Sequence, residues 1–196
     1  PHFTPAAIRD RMTKTIEIRV GELIAGLPRG GVVDVRHALA SRLPVQVILD
    51  FFGFPPTLEP DMRDWYDSFE KGLANLERNS ETEAQARSNV AAFHEMFARH
   101  AHDGGVNAFL TTLAHGPLPI DQSARNALTI FFGGISTVEA LILNAAWVLC
   151  DDPGLQQRVR DDRNLIRPLL EETMRWASPV QSSARMATRD TTIGGM

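Results

Sequence analysis

The sequence predicts a mainly helical protein with a small β region near the C-terminus. Apolar residues recur every three or four positions along most of the 196-residue chain, which is the spacing of an amphipathic helix. One apolar segment, from about residue 121 to 150, is far longer than any strand. Only the segments SSARMAT and TTIGG, close to the C-terminus, have the pattern of short strands. No repeat, low-complexity stretch or linker divides the chain, so we expect one domain.

The first helix is expected over residues 5–27. Thr4 has the side chain of an N-cap and Pro5 fits the first helical position, while LPRGG ends the helix. A second helix, over residues 36–54, should be kinked or reset by Pro44. Amphipathic spacing and stop signals predict the shorter helices 58–76, 81–101, 107–113, 153–160 and 165–176.

The longest element is expected to begin at Asp121 as N-cap and to continue to Cys150, a span of roughly 40 Å. It is apolar around most of its circumference, which predicts a position in the middle of a large core. Glu139 and Asn144 interrupt the apolar run, so a core helix is favoured over a transmembrane helix.

Composition excludes several classes of function. The chain is 43% hydrophobic and 22% charged, with a net charge of −4 and no run of Lys or Arg, which argues against binding nucleic acid. A single cysteine, Cys150, excludes an internal disulfide, a Cys-cluster zinc site and an iron–sulfur cluster held by this chain alone. The opening residues PHFTPAAIRD contain no signal peptide or membrane anchor, so we expect a cytoplasmic protein.

Four residues in the middle of the longest helix are candidates for a functional site. Gly133 and Gly134 each cost the helix about 1 kcal/mol relative to alanine. Either close helix packing or the close approach of a flat ligand to a locally opened helix would offset this cost. The hydroxyl groups of Ser136 and Thr137 can bond back to the preceding turn or hold water beside it.

Other polar residues carry little signal by themselves. Glu172 and Arg175 stand three positions apart on one helix, a spacing that usually gives a weak surface pair. The histidines do not have the spacing of a metal site. No cation or base adjoins Cys150 in the sequence, so we expect it to be a small buried hydrophobic residue.

Taken in order, five segments resemble the cytochrome P450 superfamily of haem-thiolate monooxygenases in its soluble bacterial form. They are HFTP, LASRLPVQVILDFFGFP, GGISTVE, EETMRWASP and SSARMATRDTTIGG. GGISTVE is similar to the family's oxygen-side helix, whose pattern is Ala/Gly-Gly-x-Asp/Glu-Thr, and EETMRWASP carries the family's Glu-x-x-Arg. The resemblance covers essentially the whole chain and implies a P450-like helical fold around a long oxygen-side helix.

The resemblance implies a haem b cofactor and roles for several residues. Haem and dioxygen would lie against Gly133 and Gly134, and Arg185 would contact a haem propionate. Thr137 would hold dioxygen and its proton supply.

By the same resemblance, Phe132, Val180 and Gln181 would face the substrate cavity. Glu172 and Arg175 would form a buried network that braces the haem side of the fold.

The chain departs from the family pattern at two places. Ser136 occupies the position of the family's usual carboxylate, so proton delivery must be slower, carried by water or taken over by Glu139. The family's cysteine ligand lies in a loop beyond residue 196, and Cys150 cannot replace it because it sits on the wrong helix. We therefore expect residues 1–196 to be a single partial domain that lacks the family's N-terminal sheet region and its haem–cysteine loop.

The implied function is insertion of one oxygen atom of dioxygen into a small apolar substrate. Electrons would come from an external redox partner, a ferredoxin or a flavoprotein, because the chain has no flavin or iron–sulfur signature. A non-catalytic helical protein that kept the scaffold and lost the haem-ligand cysteine is the alternative. A helical DNA-binding regulator is disfavoured because a basic recognition helix is missing.

Overall fold

A computed structural model describes residues 4–102, 110, 112, 116–182, 187–192 and 194. Its contacts group the chain into two compact units, Pro1–Leu143 and Asn144–Met196, which are described separately below. Arg185 and most of the helix expected over residues 107–113 lie outside the described residues.

The described part of the first unit contains helices joined by turns and loops, and no strand. A π-helix, Arg36–Ala40, follows the first α-helix, and a 3₁₀ helix, Pro56–Leu58, precedes the third. The α-helices are α1 Pro5–Ala25, α2 Leu43–Phe52, α3 Glu59–Leu73, α4 Ser80–His102 and α5 Ile120–Gly134, and α6 Ser136–Asp151 begins here.

The ends of the first helices follow the chemistry of their terminal residues. Thr4 Oγ1 accepts a hydrogen bond from the Ala7 amide at 3.3 Å, so it caps α1 as expected. Pro44 lies in the first turn of α2, which explains why the helix expected over residues 36–54 divides into a π-helix and α2. Gly53 ends α2 with φ 75°, a left-handed conformation that glycine adopts without steric cost.

The core of this unit is rich in phenylalanine and lies among α2, α3, α4 and α5. Phenylalanine rings of neighbouring helices meet edge to face or tilted, with the Phe93 and Phe131 centroids 5.4 Å apart. The largest completely buried side chains are Phe52, Phe93, Phe97, Phe131, Leu49 and Met62.

Two ion pairs join consecutive helices at the edge of this core. Arg19 of α1 holds the Asp50 carboxylate of α2 through two hydrogen bonds of 2.7 and 2.8 Å. Arg42, at the start of α2, holds Glu59 of α3 at 2.8 Å, and Gln46 donates to the same carboxylate at 2.9 Å. Planar guanidinium groups favour this two-point geometry.

The longest predicted helix is broken into two. The helical pattern stops at Gly134 and resumes at Ser136, with Ile135 at φ −101° and ψ −75° between α5 and α6. The prediction of one continuous helix is therefore wrong, whereas the alternative of a locally opened helix matches the structure. Asp121 is not the N-cap; Pro119 occupies that position, and Asp121 pairs with Arg125 in the first turn.

Burial of this segment is also lower than expected. By length and composition alone, Ile120–Asp151 could cross a membrane, which is weak evidence because core helices pass the same test. Only 17% of its most apolar window is buried, so the expected position in the middle of a large core is wrong for the described residues. The reason is that core contacts follow one stripe, formed by Ala124, Ala127, Phe131 and Ile135.

The second unit contains the end of α6, α7 Pro153–Asp161, a 3₁₀ turn Arg163–Leu165 and α8 Ile166–Trp176. Asp152 caps α7 by accepting the Leu155 amide at 2.9 Å. Asn144 donates to the Ala177 carbonyl at 2.7 Å, and the Trp147 and Trp176 rings stack 5.6 Å apart. These contacts tie α6 to the end of α8.

The expected β region near the C-terminus is not confirmed. Residues 177–182, 187–192 and 194 contain no strand, although other parts of SSARMAT and TTIGG fall outside the described residues.

Candidate functional site

The break between α5 and α6 is held by specific hydrogen bonds. The Ser136 amide donates to the Tyr66 hydroxyl at 3.3 Å. Thr137 Oγ1 donates to the Gly133 carbonyl at 2.9 Å, and the Glu139 amide donates to the Ile135 carbonyl at 2.9 Å, which restarts the helix. Side-chain hydroxyl groups therefore satisfy backbone groups that a continuous helix would pair by itself.

The two glycines at the break have different surroundings. A Cβ atom added at Gly134 would lie 3.0 Å from Ile48 Cδ1, so close packing against α2 explains this glycine. A Cβ atom added at Gly133 would meet nothing within 4 Å. Packing within the described residues thus explains Gly134 but not Gly133.

The Thr137 hydroxyl group bonds back to the preceding helical turn, which is one of the two alternatives that the sequence left open. Its hydroxyl hydrogen points to the Gly133 carbonyl. A hydroxyl group that donates one hydrogen bond still has lone pairs to accept another. Thr137 can therefore remain in this position and accept a hydrogen bond from water or a ligand.

Tyr66 is the residue of this site that the sequence analysis missed. It is 4% exposed, and its ring stacks on Phe132 with the centroids 5.8 Å apart. Its hydroxyl donates to Glu70 Oε1 at 2.9 Å. Burial raises the pKa of Tyr66 to about 12, and its hydrogen bond to Glu70 also raises it, whereas its hydrogen bonds with Ser136 lower it.

One signal in the sequence could have identified Tyr66. It follows Met62 by four residues and precedes Phe69 by three, so it falls on the buried stripe of α3. A tyrosine buried on such a stripe needs a partner for its hydroxyl group. Its place on that stripe therefore predicts a polar contact inside the core, although not with which residue.

Glu139 of α6 contacts the π-helix Arg36–Ala40. Its carboxylate accepts a hydrogen bond from Arg36 Nε at 2.6 Å, and this bond raises the pKa of the Arg36 guanidinium. The pair borders a polar cavity of about 130 Å³ that also reaches Tyr66 and Ile135. The buried Ser41 hydroxyl beside this cavity has no hydrogen-bond partner among the described residues.

Phe132 lies at the edge of an apolar groove between α3, α4 and α5. The groove has a volume of about 750 Å³, and Phe69, Val90 and Leu128 also line it. Its size and apolar walls suit a small organic molecule.

The remaining predicted site residues lie in the second unit. Val180 is 56% exposed and Gln181 is also exposed. Glu172 accepts a hydrogen bond from Arg175 Nε at 2.8 Å, which lowers the pKa of Glu172 and raises that of Arg175. The pairing is present, but the side chains are 62% and 70% exposed, so the expected burial is not seen. No described element of this unit covers that face of α8.

Cys150 is exposed, so the prediction that it is buried is wrong. It lies in the last turn of α6, on a side that the described part of the second unit leaves uncovered. Within the described ranges, no three His, Cys, Asp or Glu side chains come together as a metal site.

The fold and the site define a class of protein: a helical protein with a broken apolar helix beside an apolar groove. No protein-family model matches the chain. Cytochrome P450 144 of Mycobacterium tuberculosis is 28% identical over 84% of this chain and 39% of its own length. The C-19 steroid 1alpha-hydroxylase of Sorangium cellulosum is 28% identical over 96% of this chain and 50% of its own length.

A solved structure agrees with these sequence relatives. The ligand-free structure of cytochrome P450 TbtJ1 matches with a TM-score of 0.85 and 29% identity over 99% of this chain. The chain is therefore cytochrome P450-like in sequence and in fold. It spans about half the length of the curated relatives it matches.

Proposed function

We propose that the chain forms the oxygen side of a haem-dependent monooxygenase, which inserts one oxygen atom of dioxygen into a small apolar substrate. The observation that carries the proposal is the break between α5 and α6, with the open backbone at Gly133 and the Thr137 hydroxyl group beside it. The hydroxylase activity named for the Sorangium cellulosum relative supports this reaction class.

The residues at the break fit a flat cofactor. At Gly133 an added Cβ atom meets no neighbour, so the helix has room there for a planar ring to lie against its backbone. We assign Gly133 and Gly134 to this contact, and Arg185 to a haem propionate. Bound haem b would supply the redox-active iron, with a cysteine ligand from outside this chain. Glu172 and Arg175 would brace the haem side once another element covers them.

The substrate would lie beside the same break. Phe132 lines the apolar groove, and we assign Val180 and Gln181 to the cavity as well. Apolar walls hold an apolar molecule by excluding water, so few polar groups are needed to bind it. Electrons would arrive from a ferredoxin or a flavoprotein, and the protein would work in the cytoplasm.

We assign roles in proton supply at the break to three residues at the start of α6. Thr137 would hold water or dioxygen through its free lone pairs, since its hydrogen is engaged by Gly133. Ser136 can only orient water because a serine has no titratable proton near neutral pH. Glu139 is the carboxylate of the same turn, and its bond to Arg36 fixes its position.

The test is the absorbance spectrum of the complete protein, loaded with haem, reduced and exposed to carbon monoxide. The proposal predicts the Soret band of a thiolate-ligated haem, in the parent and in Cys150→Ser alike. A protein that does not bind haem would be the non-catalytic remnant instead. Loss of the band in Cys150→Ser alone would show that this chain supplies the ligand.

A further inference from the structure

Tyr66 contacts the helix break and the wall of the apolar groove at the same time. Its hydroxyl group accepts a hydrogen bond from the Ser136 backbone amide at 3.3 Å. Its ring stacks on Phe132, with the centroids 5.8 Å apart and the planes 24° from parallel. Phe132 is half-buried and lines the groove. One side chain of α3 therefore joins the groove, where a small apolar molecule fits, to the break between α5 and α6.

The break offers two alternative acceptors to one donor. In a continuous α-helix the Ser136 amide would donate to the carbonyl of Phe132, four residues earlier. In the structure it donates to the Tyr66 hydroxyl group instead, and Ile135 adopts φ −101° and ψ −75°. A continuous helix requires about −63° and −42° at that residue, so exchanging one acceptor for the other turns α5 relative to α6. The open break and the continuous helix are therefore two distinct arrangements.

We propose that a small apolar molecule in the groove stabilises the open break, and that Phe132 and Tyr66 transmit its presence. This inference rests on the proposed monooxygenase function, in which the groove holds the substrate and the break lies on the oxygen side. It implies that the residues of the break are held in place most firmly when a substrate is bound. The substrate itself would thereby regulate the oxygen side.

The walls of the groove explain how a bound molecule would favour one arrangement. They come from three helices: Phe69 of α3, Val90 of α4, and Leu128 and Phe132 of α5. A molecule that fills the groove contacts all three helices and loses some of those contacts when α5 turns. It therefore binds more tightly while the break is open, and such a difference in affinity is what a shift of population requires.

Phe132 is the residue that carries the link. Of the rings that contact Tyr66, Phe131 is completely buried, whereas Phe132 is also part of the groove wall. Other side chains at the break make contacts elsewhere, because Thr137 bonds back to the end of α5 and Glu139 borders the polar cavity. Among the described residues, the path from the groove to the break thus runs through Phe132 and Tyr66.

The experiment measures how tightly the complete, haem-loaded protein binds naphthalene, a small apolar probe, by equilibrium dialysis. Tyr66→Phe keeps the stacked ring and removes the acceptor. Coupling between two sites is reciprocal and typically changes affinity by about 5–150-fold, so we expect Tyr66→Phe to weaken naphthalene binding at least about fivefold. Ser68→Ala is the matched control, since it also removes a buried hydroxyl group from α3, and it should bind naphthalene like the parent.

A double-mutant cycle separates this link from a general loss of structure. Phe132→Leu should weaken naphthalene binding by itself, and adding Tyr66→Phe should weaken it no further, because the path is already cut; independent structural effects would add instead. The NMR signal of the Ser136 amide, in the carbon monoxide form of protein labelled with nitrogen-15 serine, reports on the break itself. Saturating naphthalene should move this signal further in the parent than in Tyr66→Phe.

Unchanged naphthalene affinity in Tyr66→Phe would overturn the link between the groove and the break. Additive effects in the cycle, an equal movement of the Ser136 signal in both proteins, or a parent that does not bind naphthalene would also overturn it. The thiolate-haem spectrum of the parent is recorded first, and its absence would overturn the proposed function. A failed cycle in a protein that shows this spectrum would overturn the link alone.

Discussion

Gly133 and Gly134 are adjacent in the sequence, yet their surroundings differ. Gly134 lets α5 approach Ile48 of α2, whereas Gly133 faces open space. The sequence left close packing and ligand approach as alternatives for the pair, and the structure assigns packing to one member. Neighbouring residues on a helix point about 100° apart, so adjacent glycines need not share a reason.

This difference predicts opposite effects of two alanine substitutions. Gly133→Ala should keep or raise the melting temperature, because alanine favours a helix by about 0.5–1 kcal/mol and the new methyl group meets no neighbour. It should nevertheless weaken haem binding by at least about tenfold, which corresponds to a loss of about 1.4 kcal/mol in binding free energy. Thermal unfolding and titration of the complete apoprotein with haem provide the measurements.

Gly134→Ala is the matched control. Its methyl group would press on Ile48 Cδ1 at 3.0 Å, so the melting temperature should fall while haem affinity changes less than in Gly133→Ala. Equal haem affinity in the parent and in Gly133→Ala would contradict the role assigned to Gly133.

Tyr66 shows the limit of residue-scale prediction. Its place on the buried stripe of α3 could be read from the sequence, but its partner Ser136 is 70 residues away. Helical spacing shows which side chains share a face and gives no information about which faces meet. The hydrogen bonds at the break therefore required the structure.

At the scale of elements, most helices could be predicted because their ends carry strong local signals. Thr4 caps α1 and Pro44 resets the second helix as expected, and α7 and α8 match their predicted ranges within a residue. The break at Ile135 was harder to locate, because glycines only permit an opening. The Tyr66 hydroxyl group, from a distant helix, supplies the acceptor that stabilises it.

The junction of α2 and α3 gives a prediction about pH. Burial alone would raise the pKa of Glu59, but hydrogen bonds from Arg42 and Gln46 outweigh burial and lower it. A group whose folded-state pKa is depressed stabilises the fold above its unfolded pKa, here near 4.5, and loses that contribution as the pH falls further.

Glu59→Gln should therefore lower the free energy of unfolding at pH 7 by about 1.5–3 kcal/mol, the range for hydrogen bonds to charged groups. The difference from the parent should shrink as the pH falls below 4.5. Denaturant unfolding at a series of pH values measures it, with exposed Glu83→Gln as the control. A difference that does not change with pH would show that the loss is one of packing and that the charge of Glu59 contributes nothing.

At the scale of the whole molecule, the resemblance stated from sequence motifs is confirmed by the comparisons. Each motif is weak alone, but their order over the whole chain is specific, and the fold matches cytochrome P450 TbtJ1. The expected burial of Cys150 is wrong, and that of Glu172 and Arg175 is not seen among the described residues. Motifs report local spacing, whereas burial depends on which elements cover a surface. The chain spans about half the length of the curated relatives it matches.

The measurement that tests the central claim most directly is product formed per reduced nicotinamide consumed, with hydrogen peroxide counted alongside, in Thr137→Val of the complete protein. Valine keeps the shape of threonine but loses the hydroxyl group beside Gly133, and Thr137→Ser restores that group as the control. We expect Thr137→Val to divert most reducing equivalents to peroxide and water, and Thr137→Ser to form product like the parent. If Thr137→Val formed product as efficiently as the parent, Thr137 would only bond back within its helix, and the oxygen-side role of this break would be wrong.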